Sequence, residues 1–364
     1  MSETDHILVW QDGPIGRLRL NRPRALNAVT HAMINTMTDA LLHWLEDDSI
    51  TSVMIDAEGD RAFCAGGDIR ALCELGCKDL ARARRFLIEE YQLNAMIARY
   101  PKPYIALMDG LTMGGGVGVA AHGSHRIVTQ HTTLAMPEVA IGFHPDIGGT
   151  YMLARAPGKT GMYMGMTGNH VSAPDAIYTG FADHHITHEK LHEFTAALID
   201  GLPLDTTIAM FAGAPGDSEL EQHQSKINDA FGQTSALGCQ RRLDELALEG
   251  DDWATRTRKA MQKNAPLSMA ATFLTLTRLG KNSTVENCIS AEFRFVSRAL
   301  EGHDLYEGVR SILVDKDRNP HWQFSTLADV PQQLVTDYLA PLGSSEWTPR
   351  ENTSREVKWQ KSVL

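Results

Sequence analysis

The sequence predicts an α/β fold with a largely parallel sheet, followed by a region made of helices. First, short β-branched segments alternate with amphipathic helical segments through the first half of the chain, an order typical of parallel sheets. Second, strand-like segments fade after Leu202 and charged amphipathic helices take over, as at 219–231 and 240–248. Third, a length of 364 residues with 43% hydrophobic residues is enough for a large core and an accessory subdomain.

The first half opens with a predicted hairpin around Asp12-Gly13-Pro14, because apolar residues alternate or run together on both sides of that turn. A helix is predicted from Thr30, its N-cap, because methionine and leucine residues recur at every fourth position after it. The next elements are a strand, a glycine-bearing loop, a helix, a strand, a tight turn and a strand, predicted at 50–56, 62–68, 78–99, 103–107, 113–116 and 126–129.

These observations divide the chain into three parts. An α/β core with the candidate functional residues is predicted at 1–202, and a helical region at 203–342. The last stretch, 343–364, is polar enough to predict a loosely held tail.

Charge and cysteine content exclude several classes of protein. A formal net charge of -11 without a long basic run argues against a nucleic-acid binder. Five cysteines, an odd number spread along the chain, argue against a disulfide framework and indicate a reducing compartment. The N-terminus shows no signal or transit pattern, and no apolar stretch reaches the ~18 residues that span a bilayer. We therefore expect a cytoplasmic protein that binds neither nucleic acid nor membrane.

Two familiar motifs occur, and we interpret both as coincidental. Residues 188–192 (HEKLH) fit H-E-x-x-H, a zinc pattern, but both histidines flank the predicted buried stripe of a short helix. Residues 116–121 (GVGVAA) fit the outline of a dinucleotide-binding turn, a spacing that is common by chance. We expect neither a bound metal nor a nicotinamide cofactor.

Two glycine loops and two carboxylates form a more informative pattern. The loops, CAGGD at 64–68 and MGGG at 113–116, each follow a predicted strand. Glycine lets backbone N–H groups approach a ligand, and two that converge on one carbonyl oxygen form an oxyanion hole, although both loops also suit simple tight turns. Glu138 and Asp146 follow in an apolar segment bent by proline and glycine, where a carboxylate is either paired or functional.

At these residues the sequence resembles the crotonase (enoyl-CoA hydratase/isomerase) superfamily, and within it the acyl-CoA hydrolases. The resemblance covers residues 7 to 342, in the segments NRPRALNAV, AFCAGGDIR, KPYIALMDGLTMGGGVGVA, AMPEVAIGFHPDIGG and EGHDLYEGVRSILVDKDRNPHW. It implies a crotonase-like spiral of ββα units with a helical C-terminal subdomain.

The resemblance also implies catalytic roles. The N–H groups of Gly67 and Gly115 would form the oxyanion hole, with the first donor assignable one residue away. Glu138 stands where the family has its catalytic glutamate, and Asp146 matches the aspartate that marks the hydrolase branch. Hydratases place a second glutamate where this chain has Gly118, so hydrolysis fits better than hydration.

Substrate-binding roles are implied for Glu90, Ala65, Asp68 and Arg24. Glu90 would contact a 3-hydroxyl group of the substrate, with Glu89 as its neighbour and alternative. Arg24 is the first candidate for the CoA phosphates, and Lys316 is the second. Phe143 and His144 would border the acyl pocket, where hydrolases have Leu-Phe.

The implied activity is hydrolysis of a short 3-hydroxyacyl-CoA thioester, most specifically 3-hydroxyisobutyryl-CoA in valine breakdown. CoA would be part of the substrate, with no further cofactor, and Glu138 would act as nucleophile or as general base. The alternatives are an enoyl-CoA hydratase or isomerase that retains only Glu138, and a non-catalytic acyl-CoA-binding subunit. Assembly into a homo-oligomer is a further expectation.

Overall fold

The chain begins with an antiparallel hairpin whose second strand starts a parallel sheet. The computed structural model describes residues 6–350. Strands β1 (Ile7–Asp12) and β2 (Ile15–Leu20) form the hairpin, which confirms the predicted turn between them. Strand β2 then pairs in parallel with β3 (Ser52–Ala57).

The remaining strands complete two sheets. They are β4 (Ala62–Cys64), β5 (Tyr104–Met108), β6 (Leu111–Met113), β7 (His125–Val128), β8 (Thr133–Ala135), β9 (Val171–Ser172) and β10 (His184–His185). A 6-stranded sheet has the order β1-β2-β3-β5-β7-β10, and a 4-stranded sheet has the order β4-β6-β8-β9. Consecutive strands alternate between the sheets, with β3, β5 and β7 in the larger one and β4, β6 and β8 in the smaller one. Helices connect these strand pairs, and the result is the expected spiral of ββα units.

Helices surround the sheets and then dominate the second half. In the first half they are α1 (His31–Glu46), α2 (Ile69–Lys78), α3 (Leu80–Ala98), α4 (Gly115–Ala120), α5 (Gly149–Arg155), α6 (Thr160–Thr167), α7 (Ala173–Tyr178) and α8 (Leu191–Ile199). The second half contains α9 (Leu204–Phe211), α10 (Glu219–Gln222), α11 (Gln224–Phe231), α12 (Ala236–Leu248), α13 (Asp252–Met261), α14 (Pro266–Arg278), α15 (Val285–Ala299), α16 (Asp304–Val309) and α17 (Gln332–Tyr338). None of the helices within residues 6–350 combines the length and the apolar character needed to cross a bilayer.

The predicted elements differ from the observed ones at the glycine loops. Thr30 does cap α1, because its side chain accepts a hydrogen bond from the N–H of Met33. The loop predicted at 62–68 is confirmed only in part, since residues 62–64 form β4. The tight turn predicted at 113–116 is wrong beyond Gly114, because Gly115 and Gly116 are already the first residues of α4. Glycine at these positions therefore starts a buried helix.

The C-terminal helices belong to the same hydrophobic core as the sheets. Phe293 and Phe295 on α15 lie in one buried cluster with Tyr91 on α3 and Leu134 on β8. The packing continues past residue 343, since Trp347 is 2% exposed and Glu346 pairs with Arg294 at 2.6 Å. Residues 343–350 of the predicted tail therefore contact the fold through Trp347 and Glu346, and residues 351–364 lie outside the described part of the chain.

Candidate active site

The two glycine loops meet at one point. Gly67 follows β4, and Gly115 is the first residue of α4. A Cβ atom added to Gly115 would lie 2.8 Å from the backbone nitrogen of Gly67, so only glycine allows this approach. The Gly115 N–H has no acceptor within its own helix because it lies in the first turn. Among the described residues no acceptor binds the Gly67 N–H either, whereas the N–H groups of Ala65 and Asp68 are paired. Two free N–H groups therefore lie side by side.

Three buried carboxylates share a cavity with these N–H groups. Glu90 on α3, Glu138 after β8 and Asp146 before α5 are 4%, 5% and 6% exposed. The cavity has a volume of about 100 Å³, and its lining includes all three carboxylates and both loops. Its apolar walls include Leu72, Phe86 and Phe143. The structure therefore brings together six of the predicted site residues, namely Ala65, Gly67, Glu90, Gly115, Glu138 and Asp146.

Burial and mutual repulsion make these carboxyl groups unusually weak acids. Burial first, and then the charge of Asp146, raises the pKa of Glu90 to about 8 and the pKa of Glu138 well above its usual value. Burial also raises the pKa of Asp146 to about 7, although a hydrogen bond from Tyr91 opposes that rise. Such perturbed groups in a cleft are typical of catalytic sites.

The Glu138 carboxylate borders the second glycine loop. A Cβ atom on Gly114 would lie 3.0 Å from Glu138 Oε1. The other oxygen, Oε2, is buried and has no hydrogen-bond partner among the described residues. A buried carboxylate oxygen without a partner carries a large desolvation cost, which a substrate or a water molecule in the cavity would relieve.

Two residues that sequence reasoning missed hold Asp146 and the loop after it. The hydroxyl of Tyr91 donates a hydrogen bond to Asp146 Oδ2 at 2.6 Å. The Glu292 carboxylate accepts hydrogen bonds from the N–H groups of Gly148 at 2.7 Å and Thr150 at 2.9 Å, and another from the Thr150 hydroxyl. Ile147, between Asp146 and Gly148, has a φ of +56°, which a β-branched residue rarely adopts. Glu292 therefore supports a strained turn directly after Asp146.

Gly118 lies on α4, at the position where hydratases have a second glutamate according to the family resemblance. A Cβ atom there would lie 2.8 Å from Asn94 Nδ2 and 2.9 Å from Ile147 Cβ. Both neighbours are buried, so this position of α4 has no room for a side chain. A catalytic glutamate could not occupy it in this backbone.

Comparison with known proteins identifies the family. Residues 15–339 match the sequence pattern of the family described as "Enoyl-CoA hydratase/isomerase". The chain belongs to the enoyl-CoA hydratase/isomerase family. It is 36% identical to 3-hydroxyisobutyryl-CoA hydrolase, mitochondrial, of Gallus gallus, over 93% of this chain and 90% of that one. The Homo sapiens protein of the same name is 34% identical over 94% of this chain and 90% of that one.

Solved structures of this family share the fold closely. A carnitinyl-CoA dehydratase from Mycobacterium thermoresistibile has a TM-score of 0.90 and 41% identity, covering 94% of this chain and 98% of that one. An enoyl-CoA hydratase from Rhodobacter sphaeroides has a TM-score of 0.88 and 40% identity, covering 94% of this chain and 99% of that one. The crotonase-like fold predicted from the sequence is thereby confirmed.

Within this family fold, the choice between Glu89 and Glu90 becomes clear. Glu90 lines the cavity, whereas Glu89 pairs with His31 and, at 3.9 Å, with Arg85. The two side chains leave α3 in different directions because they are adjacent on the helix. Contact with the substrate therefore stays a prediction for Glu90, and Glu89 is no longer its alternative.

Asp68 and Arg24 do not line the cavity. The Asp68 carboxylate caps α2 through the N–H of Ala71 and pairs with Arg22 at 3.1 Å, so its charge is used within the fold. Arg24 is exposed and lines a separate groove that also contains Glu58 and Asp60, whose charges oppose phosphate binding. The substrate-binding role predicted for Asp68 is not supported, and the phosphate-binding role of Arg24 stays a prediction.

Of the two residues expected to border the acyl pocket, only one lines the cavity. Phe143 lines the cavity, but His144 does not border it. The His144 ring is fully buried and lies within hydrogen-bond distance of the Pro145 carbonyl oxygen and, at 3.0 Å, of Thr275 Oγ1. His144 therefore ties the site loop to α14, and the expectation that it borders the acyl group is wrong.

Proposed function

We propose that this protein hydrolyses a short 3-hydroxyacyl-CoA thioester, with 3-hydroxyisobutyryl-CoA as the preferred substrate and valine breakdown as its setting. The observation that carries the proposal is the cavity in which two free glycine N–H groups lie with Glu138 and Asp146. The curated relatives that bear the name 3-hydroxyisobutyryl-CoA hydrolase support the choice of acyl group.

The N–H groups of Gly67 and Gly115 polarise the thioester carbonyl. Negative charge grows on its oxygen as the tetrahedral intermediate forms, so these two hydrogen bonds are stronger in the transition state than in the ground state. Because the donors are backbone groups held by β4 and α4, they need no rearrangement during the reaction.

Glu138 supplies the attacking group by one of two routes. As a general base, its carboxylate takes a proton from water while the water oxygen bonds to the carbonyl carbon. As a nucleophile, it forms a mixed anhydride that water then opens. In both routes the C–S bond breaks and its electron pair leaves with sulfur. Single turnover in ¹⁸O-water detects the second route when water opens the anhydride at the Glu138 carbonyl carbon, because the label then enters the Glu138 carboxyl group.

Asp146 is placed to exchange a proton with the leaving thiolate. A group whose pKa is about 7 holds a proton in part of the molecules at neutral pH and can give it to sulfur as the C–S bond breaks. Glu90, in the same cavity, has an uncharged form near neutrality that can hydrogen-bond a substrate 3-hydroxyl. These roles complete a hydrolase that needs no cofactor besides the CoA of its substrate.

The main alternative is hydration or dehydration, the activity after which the two similar structures are named. That chemistry positions a water between two glutamates, according to the family resemblance, and this chain has room for no side chain at Gly118. Hydrolysis needs one attacking group and an oxyanion hole, both of which are present in the cavity.

One experiment tests the proposal directly. Thiol release is measured with 3-hydroxyisobutyryl-CoA, 3-hydroxypropionyl-CoA and acetyl-CoA, beside loss of the enoyl chromophore with crotonyl-CoA. We expect CoA release from the two 3-hydroxyacyl esters to exceed crotonyl-CoA hydration at least 100-fold. Hydration that outpaces thiol release would overturn the proposal, and absence of both activities would favour a non-catalytic acyl-CoA-binding subunit.

The proposal also includes the cellular location and the quaternary state of the protein. A cytoplasmic location is part of the proposal, whereas the relatives carry the word mitochondrial in their names. A homo-oligomer that assembles through the helical region is the expected quaternary state. Fractionation of the source cells and sedimentation of the purified protein test these two points.

A further inference from the structure

Three potential metal ligands meet outside the active-site cavity, at the carboxyl ends of adjacent strands. Asp109 follows β5, His131 follows β7 and His188 follows β10, and these strands are neighbours in the larger sheet. All three pair in parallel, so their carboxyl ends lie at one edge of the sheet. None of these three residues lines the cavity that contains Glu138 and Asp146.

The ligand atoms of the three residues converge. His188 Nδ1 is 2.6 Å from Asp109 Oδ2, and His131 Nδ1 is 3.6 Å from Asp109 Oδ1. One ligand atom from each residue lies within 4.8 Å of those of the other two. Ligands of a tetrahedral zinc ion, with bonds of about 2.0–2.1 Å, are separated by comparable distances. Small side-chain rotations therefore suffice to place a cation between them.

Neighbouring groups already orient these ligands. The Thr129 hydroxyl donates a hydrogen bond to Asp109 Oδ1 at 2.5 Å, and the backbone N–H of His188 donates one to Gln130 Oε1 at 2.9 Å. Outer hydrogen bonds of this kind fix the direction of metal-binding side chains. The side chains of Asp109, His131 and His188 are 20%, 48% and 45% exposed, so a cation can enter from solvent.

We propose that Asp109, His131 and His188 form a binding site for a divalent transition-metal cation, with zinc as the preferred ion. Two imidazoles and one carboxylate form a donor set that suits zinc, and water would complete the coordination. The H-E-x-x-H motif contributes only its first histidine. Neither His192 nor Glu189 belongs to the converging group, and Glu189 instead accepts a hydrogen bond from Gln130.

The site ties three loops together and has no part in thioester cleavage. A cation that binds only the folded chain stabilises it by mass action, so the midpoint of thermal unfolding rises with the concentration of free zinc. The proposal therefore stands whether or not the chain is a hydrolase. It replaces our sequence-based expectation of no metal, in which His188 was considered with His192 and not with Asp109 and His131.

Equilibrium dialysis of the full chain, without a histidine tag, against micromolar zinc tests this site. A Cys77→Ser background removes the exposed thiol as a competing ligand. We expect about one zinc per chain by elemental analysis, less than 0.2 in His131→Ala and in His188→Ala, and an unchanged value in His192→Ala. Far-UV circular dichroism checks the fold of each variant.

Cobalt provides the second measurement. Co²⁺ bound by two histidines and a carboxylate gives visible absorption bands, which we expect in the parent protein and in His192→Ala and not in His131→Ala. Loss of zinc in His192→Ala with retention in His131→Ala would overturn the proposal in favour of the sequence motif. A stoichiometry below 0.2 in the parent protein at 100 μM zinc would overturn it outright.

Discussion

Tyr91 donates a buried hydrogen bond to Asp146 at 2.6 Å, and this bond distinguishes Asp146 from the other two carboxyl groups of the cavity. No hydrogen bond from another side chain of residues 6–350 reaches Glu90 or Glu138. A hydrogen bond to the ionised form favours that form. Asp146 therefore ionises before Glu90 as the pH rises, with a pKa of about 7 against about 8 for Glu90.

Tyr91→Phe removes this hydrogen bond and keeps the ring. Because the bond stabilises the ionised form, the pKa of Asp146 should rise by about 1–2, given ~1.5–3 kcal/mol for a hydrogen bond to a charged group. The limb of the kcat/KM profile that reports on Asp146 should move to higher pH. Tyr104→Phe is the matched control, since the Tyr104 hydroxyl is also buried but donates to the Val119 carbonyl. If the profile does not move, the ionisation of Asp146 does not control kcat/KM.

Glu90 should lower stability at alkaline pH. Its pKa is raised from 4.5 to about 8 in the folded chain, so folding favours its protonated form. The contribution of protonated Glu90 to the free energy of unfolding is complete below the pKa of Glu90 in the unfolded chain. It is lost as the pH rises towards 8. Glu90→Gln should therefore raise the free energy of unfolding at pH 8.5 by on the order of 1–3 kcal/mol, with a smaller gain at pH 5. Urea unfolding at both pH values measures this difference, and Glu89→Gln is the neighbouring control.

Gly118→Ala tests whether α4 has room for a side chain. The added methyl group would lie within 3 Å of Asn94 and Ile147, both in the buried interior. Overpacking of this kind costs about 1–3 kcal/mol of unfolding free energy. Gly280→Ala is the control, because a Cβ at Gly280 meets nothing within 4 Å. Equal stability of the two variants would show that α4 can move, and the argument against a second glutamate would fail.

Glu292→Gln should weaken the turn after Asp146. One carboxylate oxygen becomes an NH₂ group that faces backbone N–H donors, so a buried hydrogen bond is lost. We expect a loss of about 2–4 kcal/mol in unfolding free energy, with a fall in kcat and little change in KM. Glu286→Gln on the same helix is the control, because Glu286 pairs with Arg99 at 3.4 Å, away from this turn. A stability equal to that of the parent would exclude the supporting role of Glu292.

Sequence reasoning located the cavity but not the residues that support it. Gly67, Gly115, Glu138 and Asp146 lie in short segments whose glycines, prolines and strand order carry a local signal. Glu292 lies 142 residues after Thr150, and no local pattern connects a helix of the second half to this turn. The only available sign was an acidic residue among the buried positions of α15. Asp68 shows that a motif residue can also serve as a helix cap.

Local sequence patterns also fail to show where one helix ends and the next begins. The helix predicted at 78–99 is confirmed as α3, but no element was predicted where α2 precedes it. Asp79 separates the two helices, since its side chain caps α3 through the N–H of Arg82. A capping aspartate within a continuous helical pattern looks like an ordinary surface residue, so the break is apparent only in the structure.

Glu138→Gln tests the proposed chemistry most directly. The substitution keeps the size of the side chain but removes the basic oxygen, so kcat should fall by roughly 10²-fold or more while substrate still binds. Asp146→Asn should also impair turnover. The double variant should be little worse than the poorer single one, because residues that act as a unit are not additive. Steady-state kinetics of the three variants, with binding measured by calorimetry, gives these values.

Glu89→Gln provides the control for this series, because Glu89 carries the same charge on α3 but pairs with His31 outside the cavity. Its turnover should stay within about 3-fold of the parent, since Glu89 does not line the cavity. If Glu138→Gln kept near-normal turnover, neither the base route nor the nucleophile route could hold. The attacking group would then have to come from Glu90 or Asp146, the two other carboxyl groups of the cavity. Additive effects of Glu138→Gln and Asp146→Asn would instead separate the two residues into independent steps.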